Sequence, residues 1–282
     1  MIFSIPRSGR GRASFAALCT AWALAAAVPA FAQRGVATQA PMSVEQEIVR
    51  SFKDPALVER ILRDQYPAGM SAEREALLRQ FLTRIMTDER VAPFVTRIIS
   101  PMLQAKMPRD QIRRQVEETV TAAQMRGLSR LPPDRVTQFF QLVMTMTQSI
   151  PAADCKKLFL SQLDAQSMRK LERGFQATMP IAELQNLLSI YQQAFEAELR
   201  DSPPRRGRKE LDPPVQEALE KSMARRFAKL APGTAARVLA KPEQADAAQL
   251  CTVYVEMTRA GLDLPQALRV QYLDLLLSQV DS

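Results

Sequence analysis

The sequence predicts an all-α fold, an irregular multi-helix bundle of about 9–12 helices. Glycine, which disfavours helix interiors, is scarce, at nine residues in 282. No segment shows a convincing apolar–polar alternation with hairpin turns, the pattern that is typical of β-strands. Apolar residues instead recur at steps of three and four, and many of these segments begin with a capping residue or a proline.

Residues 1–32 have the pattern of a cleaved secretory signal. Three basic residues come first: Arg7, Arg10 and Arg12. An uncharged apolar run of 13 residues follows at 16–28, and the motif "PAFAQ" then supplies an A-x-A cleavage site. The run is short for a transmembrane helix, which needs about 20 residues. We expect cleavage after Ala32 and a periplasmic or secreted mature chain without a transmembrane segment. A retained anchor and an organellar transit peptide are the alternatives.

Cleavage after Ala32 would leave two of the three cysteines. Cys19 lies in the apolar run, whereas Cys155 and Cys251 lie in the mature chain. Two cysteines in an exported chain are candidates for one disulfide. Closing a loop near 100 residues could stabilise the fold by about 4–5 kcal/mol in the chain-entropy model. We expect a Cys155–Cys251 bond that tethers the C-terminal helices to the preceding bundle; two separate buried thiols are the alternative.

The charge balance is mildly basic. Without the three signal arginines, 35 of the 38 basic residues remain against 30 acidic ones, a net charge of +5. Aromatic residues make up 6% of the chain. A nucleic-acid-binding protein would have a concentrated basic face or a set of stacking aromatic side chains. We therefore expect no nucleic acid partner, although a local basic patch would suffice for an anionic envelope component.

Helix signals appear from the start of the mature chain. Asp54 stands before Pro55, a pair typical of an N-cap and first helical residue, and Ser71 is a second candidate cap. The segment 108–127 carries a narrow apolar stripe and ends at Gly127. This pattern predicts a surface helix that stops at a C′ glycine.

Two later helical segments are more apolar. No charged side chain occurs between Thr137 and Pro151, so we expect the helix over 136–150 to lie in the middle of a bundle. In the segment "PIAELQNLLSIYQQAFEAELR" the apolar side chains alternate at three and four positions, which predicts an intramolecular packing seam. The seam positions are Ile181, Leu184, Leu188, Tyr191, Phe195 and the pair Glu198–Leu199. The last helix should be apolar around a polar strip of Gln271, Asp274 and Ser278.

The stretch "DSPPRRGRKELDPP", 201–214, is the clearest break in the helical pattern. Its proline pairs and its charges favour an exposed loop. The loop divides the mature chain into an N-terminal and central bundle, 33–200, and C-terminal helices packed on it, 215–282. Four of its basic residues are candidate contacts for an anionic partner: Arg205, Arg206, Arg208 and Lys209. An ordinary solvated loop is the alternative.

The search for catalytic residues leaves the question of an enzyme open, leaning to no. The chain has no histidine, which excludes a Ser-His-Asp triad and an H-E-x-x-H zinc site. Ser167 and Lys170 match S-x-x-K without the motifs that accompany it in serine–lysine enzymes. Acid pairs that could flank a glycosidic bond occur at Glu117–Glu118 and Glu196/Glu198, on charged helices where acids usually face water. We expect no cofactor and no metal.

These observations favour an exported, non-enzymatic helical protein that binds another envelope protein or component, as an interaction or chaperone-like module. A binder of an apolar ligand in a cavity between helices remains open. A carboxylate-dependent hydrolase of cell-wall sugars is a third class. The sequence does not identify the partner or the oligomeric state.

Overall fold

The computed structural model describes residues 43–66 and 68–278. All regular secondary structure in this part of the chain is helical, which confirms the all-α prediction. The described residues form thirteen α-helices and one short 3₁₀ helix, slightly more than the sequence suggested. The predicted signal peptide lies outside the described residues.

The helices follow one another with short connections. In the first half of the chain they are α1 (Val44–Phe52), α2 (Pro55–Gln65), α3 (Ala72–Thr87), α4 (Val91–Gln104), α5 (Arg109–Leu128) and α6 (Pro133–Ser149). In the second half they are α7 (Ala152–Phe159), α8 (Ala165–Thr178), α9 (Ile181–Arg200), α10 (Pro213–Phe227), α11 (Thr234–Ala240), α12 (Ala247–Leu262) and α13 (Gln266–Ser278). The 3₁₀ helix Pro242–Gln244 lies between α11 and α12.

The two helix starts that the sequence singled out follow the predicted capping chemistry. The Asp54 carboxylate accepts a hydrogen bond from the backbone N–H of Ala56, with Pro55 as the first helical residue. The Ser71 hydroxyl accepts from the backbone N–H of Arg74. Both predicted caps are therefore confirmed, because each satisfies a backbone donor that lacks a partner within its helix.

The described residues form two compact units. The N-terminal unit consists of 43–66, 68–130 and 176–204, and the C-terminal unit consists of 131–175 and 205–278. The chain thus passes between the units three times, and one of these boundaries falls inside α8.

The N-terminal unit is built around the pairing of α5 with α9. Ten of the twenty residues of α5 are buried, so the prediction that it is a surface helix was wrong. Gly127 lies inside α5, which ends at Leu128, and it is not a C′ residue. A Cβ atom at Gly127 would overlap the backbone carbonyl of Ala194 in α9. Glycine at this position lets the two helix backbones approach each other closely.

The predicted seam of α9 is confirmed in its central part. Leu184, Leu188, Tyr191 and Phe195 are buried, whereas Ile181 and Leu199 at its two ends are partly buried. Phe195 also meets the ring of Phe94 of α4 edge-on, with ring centroids 5.6 Å apart. Helices α3 and α4 pack on the α5–α9 pair, α1 packs on α4, and α2 packs on α3.

In the C-terminal unit, α12 is the central helix. It contacts α6, α7, α10, α11 and α13. Val253 and Leu250 of α12 form the core of an apolar cluster together with Val238 of α11. Gly261 is an interior residue of α12, and the ring of Tyr272 occupies the place where its Cβ atom would be. Here too the glycine serves close packing.

Helix α6 is rich in apolar residues, but one of its faces is exposed to solvent. Val136, Phe139 and Leu142 are buried, whereas Gln141 and Thr145 are exposed. The sequence pattern predicted a helix in the middle of a bundle, but uncharged polar residues are enough to form a solvated face. Within the described residues, no helix combines the length and the hydrophobicity that crossing a bilayer would require.

Candidate functional site

The cysteine pair predicted from the sequence is bonded in the structure. Cys155 of α7 and Cys251 of α12 form a disulfide, and their Cα atoms are 5.8 Å apart. This distance lies within the range of about 4.4–6.8 Å that a disulfide requires. The side chain of Cys155 is fully buried. Both cysteines belong to the C-terminal unit. Because Cys155 precedes the 201–214 segment and Cys251 follows it, the bond joins a helix before that segment to a helix after it.

Polar and aromatic contacts surround the disulfide. Lys156, next to the bonded cysteine, donates from Nζ to the backbone carbonyl oxygens of Glu243 and Ala245, at 2.9 and 2.6 Å. The ring of Phe159 stacks on Tyr254 with centroids 4.7 Å apart, and burial raises the pKa of the Tyr254 phenol. Three kinds of interaction therefore fix α7 to α12 and to the segment that precedes it, which makes this region a structural anchor.

The predicted anionic contact site, residues 205–209, forms what we call the arginine loop. Arg206 donates from Nε to the Asp274 carboxylate of α13 at 3.1 Å, and from Nη1 to the backbone carbonyl oxygen of Leu131. The Ser278 hydroxyl donates to the backbone carbonyl oxygen of Arg208. Asp274 and Ser278 belong to the polar strip that the sequence showed on the last helix. The hydrogen bonds of these two side chains hold the arginine loop against α13.

The four predicted contact residues therefore differ in their surroundings. The guanidinium of Arg206 is committed to Asp274, and that of Arg208 pairs with Asp212 at 2.8 Å. Arg205 and Lys209 are exposed. Arg206 thus holds the loop on α13, whereas Arg208 pairs within the 201–214 segment, so both charges are used in contacts inside the protein.

A second group of exposed basic residues was not singled out from the sequence. We call it the basic corner, and its members lie at the end of α10, on α11 and just after each helix: Arg225, Lys229, Arg237 and Lys241. A sequence signal for it exists, since the 21 residues from Lys221 to Lys241 contain six basic side chains and no acidic one. The low net charge of the whole chain concealed this local excess.

A partly buried ion-pair network joins α10 to α12. Arg226 donates from Nη1 to Glu256 at 2.7 Å and also pairs with Asp263, while Arg259 donates to Glu256 at 2.6 Å. Burial acts to raise the pKa of Glu256, but the hydrogen bonds from Arg226 and Arg259 outweigh it and lower the pKa below its ordinary value. The carboxylate is thus held ionised between two guanidinium groups.

Glu198, one of the candidate catalytic acids, makes structural contacts. Glu198 accepts hydrogen bonds from Nε of Arg126 and Nε of Arg130, both at 2.9 Å, and its side chain is 8% exposed. Arg130 also pairs with Asp201 and donates to the backbone carbonyl oxygen of Pro203 at 2.6 Å. These contacts use the Glu198 carboxylate to connect the end of α9 to α5 and to Arg130 just after it, which suits a structural anchor.

The S-x-x-K motif has a local structural role. The Ser167 hydroxyl donates to the Asp164 carboxylate at 3.0 Å, and the backbone N–H of Ser167 donates to the same carboxylate at 2.8 Å. These bonds lower the pKa of Asp164. Lys170 is exposed. The serine of this motif therefore takes part in the hydrogen bonds at the beginning of α8.

Across 43–66 and 68–278, no cluster of three or more cysteine, aspartate or glutamate side chains is arranged to hold a metal ion.

Comparison with known proteins found no matching family model, no matching curated protein and no matching solved structure.

Proposed function

We propose that the protein is an exported, disulfide-stabilised helical protein that binds another protein or component of the cell envelope. The observation that carries the proposal is the Cys155–Cys251 bond. Structural disulfides form and persist in oxidising compartments such as the periplasm or the extracellular space. The signal-like pattern of residues 1–32 supplies the route to such a compartment.

A binding role is supported by how the polar groups are used. The chain has no histidine, and Glu198 and Ser167, which the sequence offered as catalytic candidates, are engaged in local hydrogen bonds. The exposed cations of the C-terminal unit include Lys209 of the arginine loop. Exposed surface charge attracts partners of opposite sign without any chemical step.

Export is tested by intact-mass measurement of the protein isolated from cells that make it. We expect a chain that begins at Gln33 and carries no free thiol in the fully denatured state. A chain that retains Met1 and carries reduced thiols at positions 155 and 251 would contradict export.

Binding is tested by site-specific photo-crosslinking in intact cells. A benzophenone amino acid at Lys209 is expected to give a light-dependent adduct of defined mass with an envelope component. The same group at Arg60, which is exposed on α2 of the N-terminal unit, is the matched control. Equal adduct formation from both positions, or none from Lys209, would contradict a binding surface at the arginine loop.

A further inference from the structure

The acid-free stretch between Lys221 and Lys241 is the strongest local charge asymmetry in the C-terminal unit. Glu220 precedes it and Glu243 follows it, and no acidic residue stands between them. Two of its six cations have acidic partners. Lys221 pairs with Glu217 at 2.6 Å, and Arg226 pairs with Glu256 and Asp263. The remaining four are the exposed residues of the basic corner: Arg225, Lys229, Arg237 and Lys241.

The packing explains why these four cations are exposed together. Between them in the chain stand apolar side chains that pack on one cluster with Leu250 and Val253 of α12: Phe227, Leu230, Ala235, Val238 and Leu239. The end of α10 and the whole of α11 therefore cover the same apolar cluster. Their basic side chains lie on the opposite, solvent-exposed side.

The residues between the cations are small. Ala231, Pro232, Ala236 and Ala240 are exposed within the corner. Such a surface has cationic groups and little apolar area to insert into a bilayer. It suits adsorption to charge at the level of lipid headgroups.

We infer that the basic corner adsorbs the C-terminal unit to an anionic lipid surface. The inference deepens the proposed function, on which it rests for an envelope location, by naming the component that is bound. The four cations are spread over two helices, the turn between them and the residue that follows α11. A bilayer presents diffuse negative charge over a large area and requires no fixed pairing geometry. An acidic protein would instead need carboxylates placed opposite each cation.

The proposal predicts binding that is electrostatic. Each basic residue near an anionic bilayer increases the partition coefficient by about fivefold. Binding should weaken steeply as salt rises from about 50 to about 500 mM, because the Debye length shortens to a few ångströms over this range. Neutral vesicles should bind poorly at any salt concentration.

The test is co-sedimentation of the chain beginning at Gln33 with vesicles of phosphatidylcholine, with and without about 30 mol % phosphatidylglycerol. The test variant replaces the four cations of the corner by glutamine: Arg225→Gln, Lys229→Gln, Arg237→Gln and Lys241→Gln. The matched control also replaces two lysines and two arginines, and so removes the same charge, but at exposed positions of the N-terminal unit: Lys53→Gln, Arg60→Gln, Arg84→Gln and Lys106→Gln. Circular dichroism and thermal melting verify that both variants fold.

We expect the wild type and the control to bind the anionic vesicles, and the corner variant to bind at least about a hundredfold more weakly. An equal loss in both variants would show a dependence on net charge alone and would overturn the inference. So would wild-type binding to soluble polyglutamate without binding to vesicles. A failure of vesicle binding leaves the cross-linking result from Lys209 unaffected, so the two proposals fail separately.

Discussion

Gly127 and Gly261 show how one residue type has two uses in a helical protein. Glycine near the end of an apolar helical pattern often marks a C′ position, because it adopts a left-handed conformation without steric cost. Here both glycines lie one residue before the last residue of their helices, α5 and α12. Each lacks a side chain where a neighbouring element approaches: the Ala194 backbone in one case and the Tyr272 ring in the other.

We expect Gly127→Ala to destabilise the protein by about 1–3 kcal/mol or more, because the new methyl group would meet backbone atoms that cannot rotate away. Gly174→Ala is the matched control, since a Cβ atom at that helical position would have no heavy atom within 4 Å. Alanine there should be neutral or stabilise by about 0.5–1 kcal/mol. Urea unfolding monitored by circular dichroism measures both changes. Equal effects would contradict the close contact between α5 and α9.

We expect Cys155→Ser to lower the free energy of unfolding by about 2–5 kcal/mol, because the reduced chain gains conformational freedom when unfolded. The control is the double variant Cys155→Ser/Cys251→Ser, which removes the bond and leaves no unpaired thiol. Urea unfolding of the oxidised wild type and of both variants gives the comparison. A loss below about 1 kcal/mol in both variants would show that the bond contributes little to stability.

At the scale of elements, arginine side chains connect helices that are distant in the chain. Arg226 joins α10 to α12 through Glu256, and Arg206 joins the arginine loop to α13 through Asp274. These pairs are partly buried, so they are screened less by solvent than surface pairs are. Each therefore fixes the position of one element on another.

The Glu256 pair predicts a pH dependence of stability. Because the pKa of Glu256 is lowered in the folded protein, its ionised form stabilises the fold at pH values above the ordinary carboxyl pKa of 4.5. That contribution is lost as the pH falls from about 4.5 through the lower folded pKa. We expect Glu256→Gln to cost about 1–3 kcal/mol at pH 7 and to flatten the loss of stability below pH 4.5.

Urea unfolding between pH 7 and pH 3 measures this effect. Glu220→Gln is the control, since Glu220 is an exposed acid of α10 outside the Arg226 network. If both variants lose stability on acidification as steeply as the wild type, Glu256 does not contribute to the pH dependence.

At the scale of the whole chain, the 201–214 segment and the disulfide together determine what a protease would release. We expect trypsin to cut first within the exposed part of the arginine loop, at Arg205 or Lys209, because exposed loops open at low cost. A cut after Lys209 places Cys155 and Cys251 on different fragments. Non-reducing electrophoresis should show one band and reducing electrophoresis two. Separation without reductant would contradict the bond.

The attachment of the loop to α13 should set the rate of this cut. Arg206→Gln removes the hydrogen bonds to Asp274 and Leu131, so we expect cleavage about tenfold faster under limiting protease. Arg208→Gln is the matched control, because it also removes one trypsin site but breaks only the exposed pair with Asp212. Equal rates in the two variants would show that Arg206 does not hold the loop.

Much of the local structure was determined by the sequence itself. The caps at Asp54 and Ser71 and the seam of α9 follow from neighbours within about one or two helical turns, where backbone donors and apolar spacing act directly. The count of cysteines made the Cys155–Cys251 pair the leading candidate. Only the 5.8 Å separation of their Cα atoms excluded two isolated thiols.

The tertiary structure decided which helices are buried and where the arginines bind. A narrow apolar stripe on α5 suggested a surface helix, but contact with α9 buries small and polar residues of α5 that periodicity does not mark. Arg206 and Asp274 are 68 positions apart, so no local pattern links them. Local sequence determines caps and periodicity because their partners are neighbours in the chain. Long-range pairing and close helix contact depend on which elements meet, and that is determined only when the chain has folded.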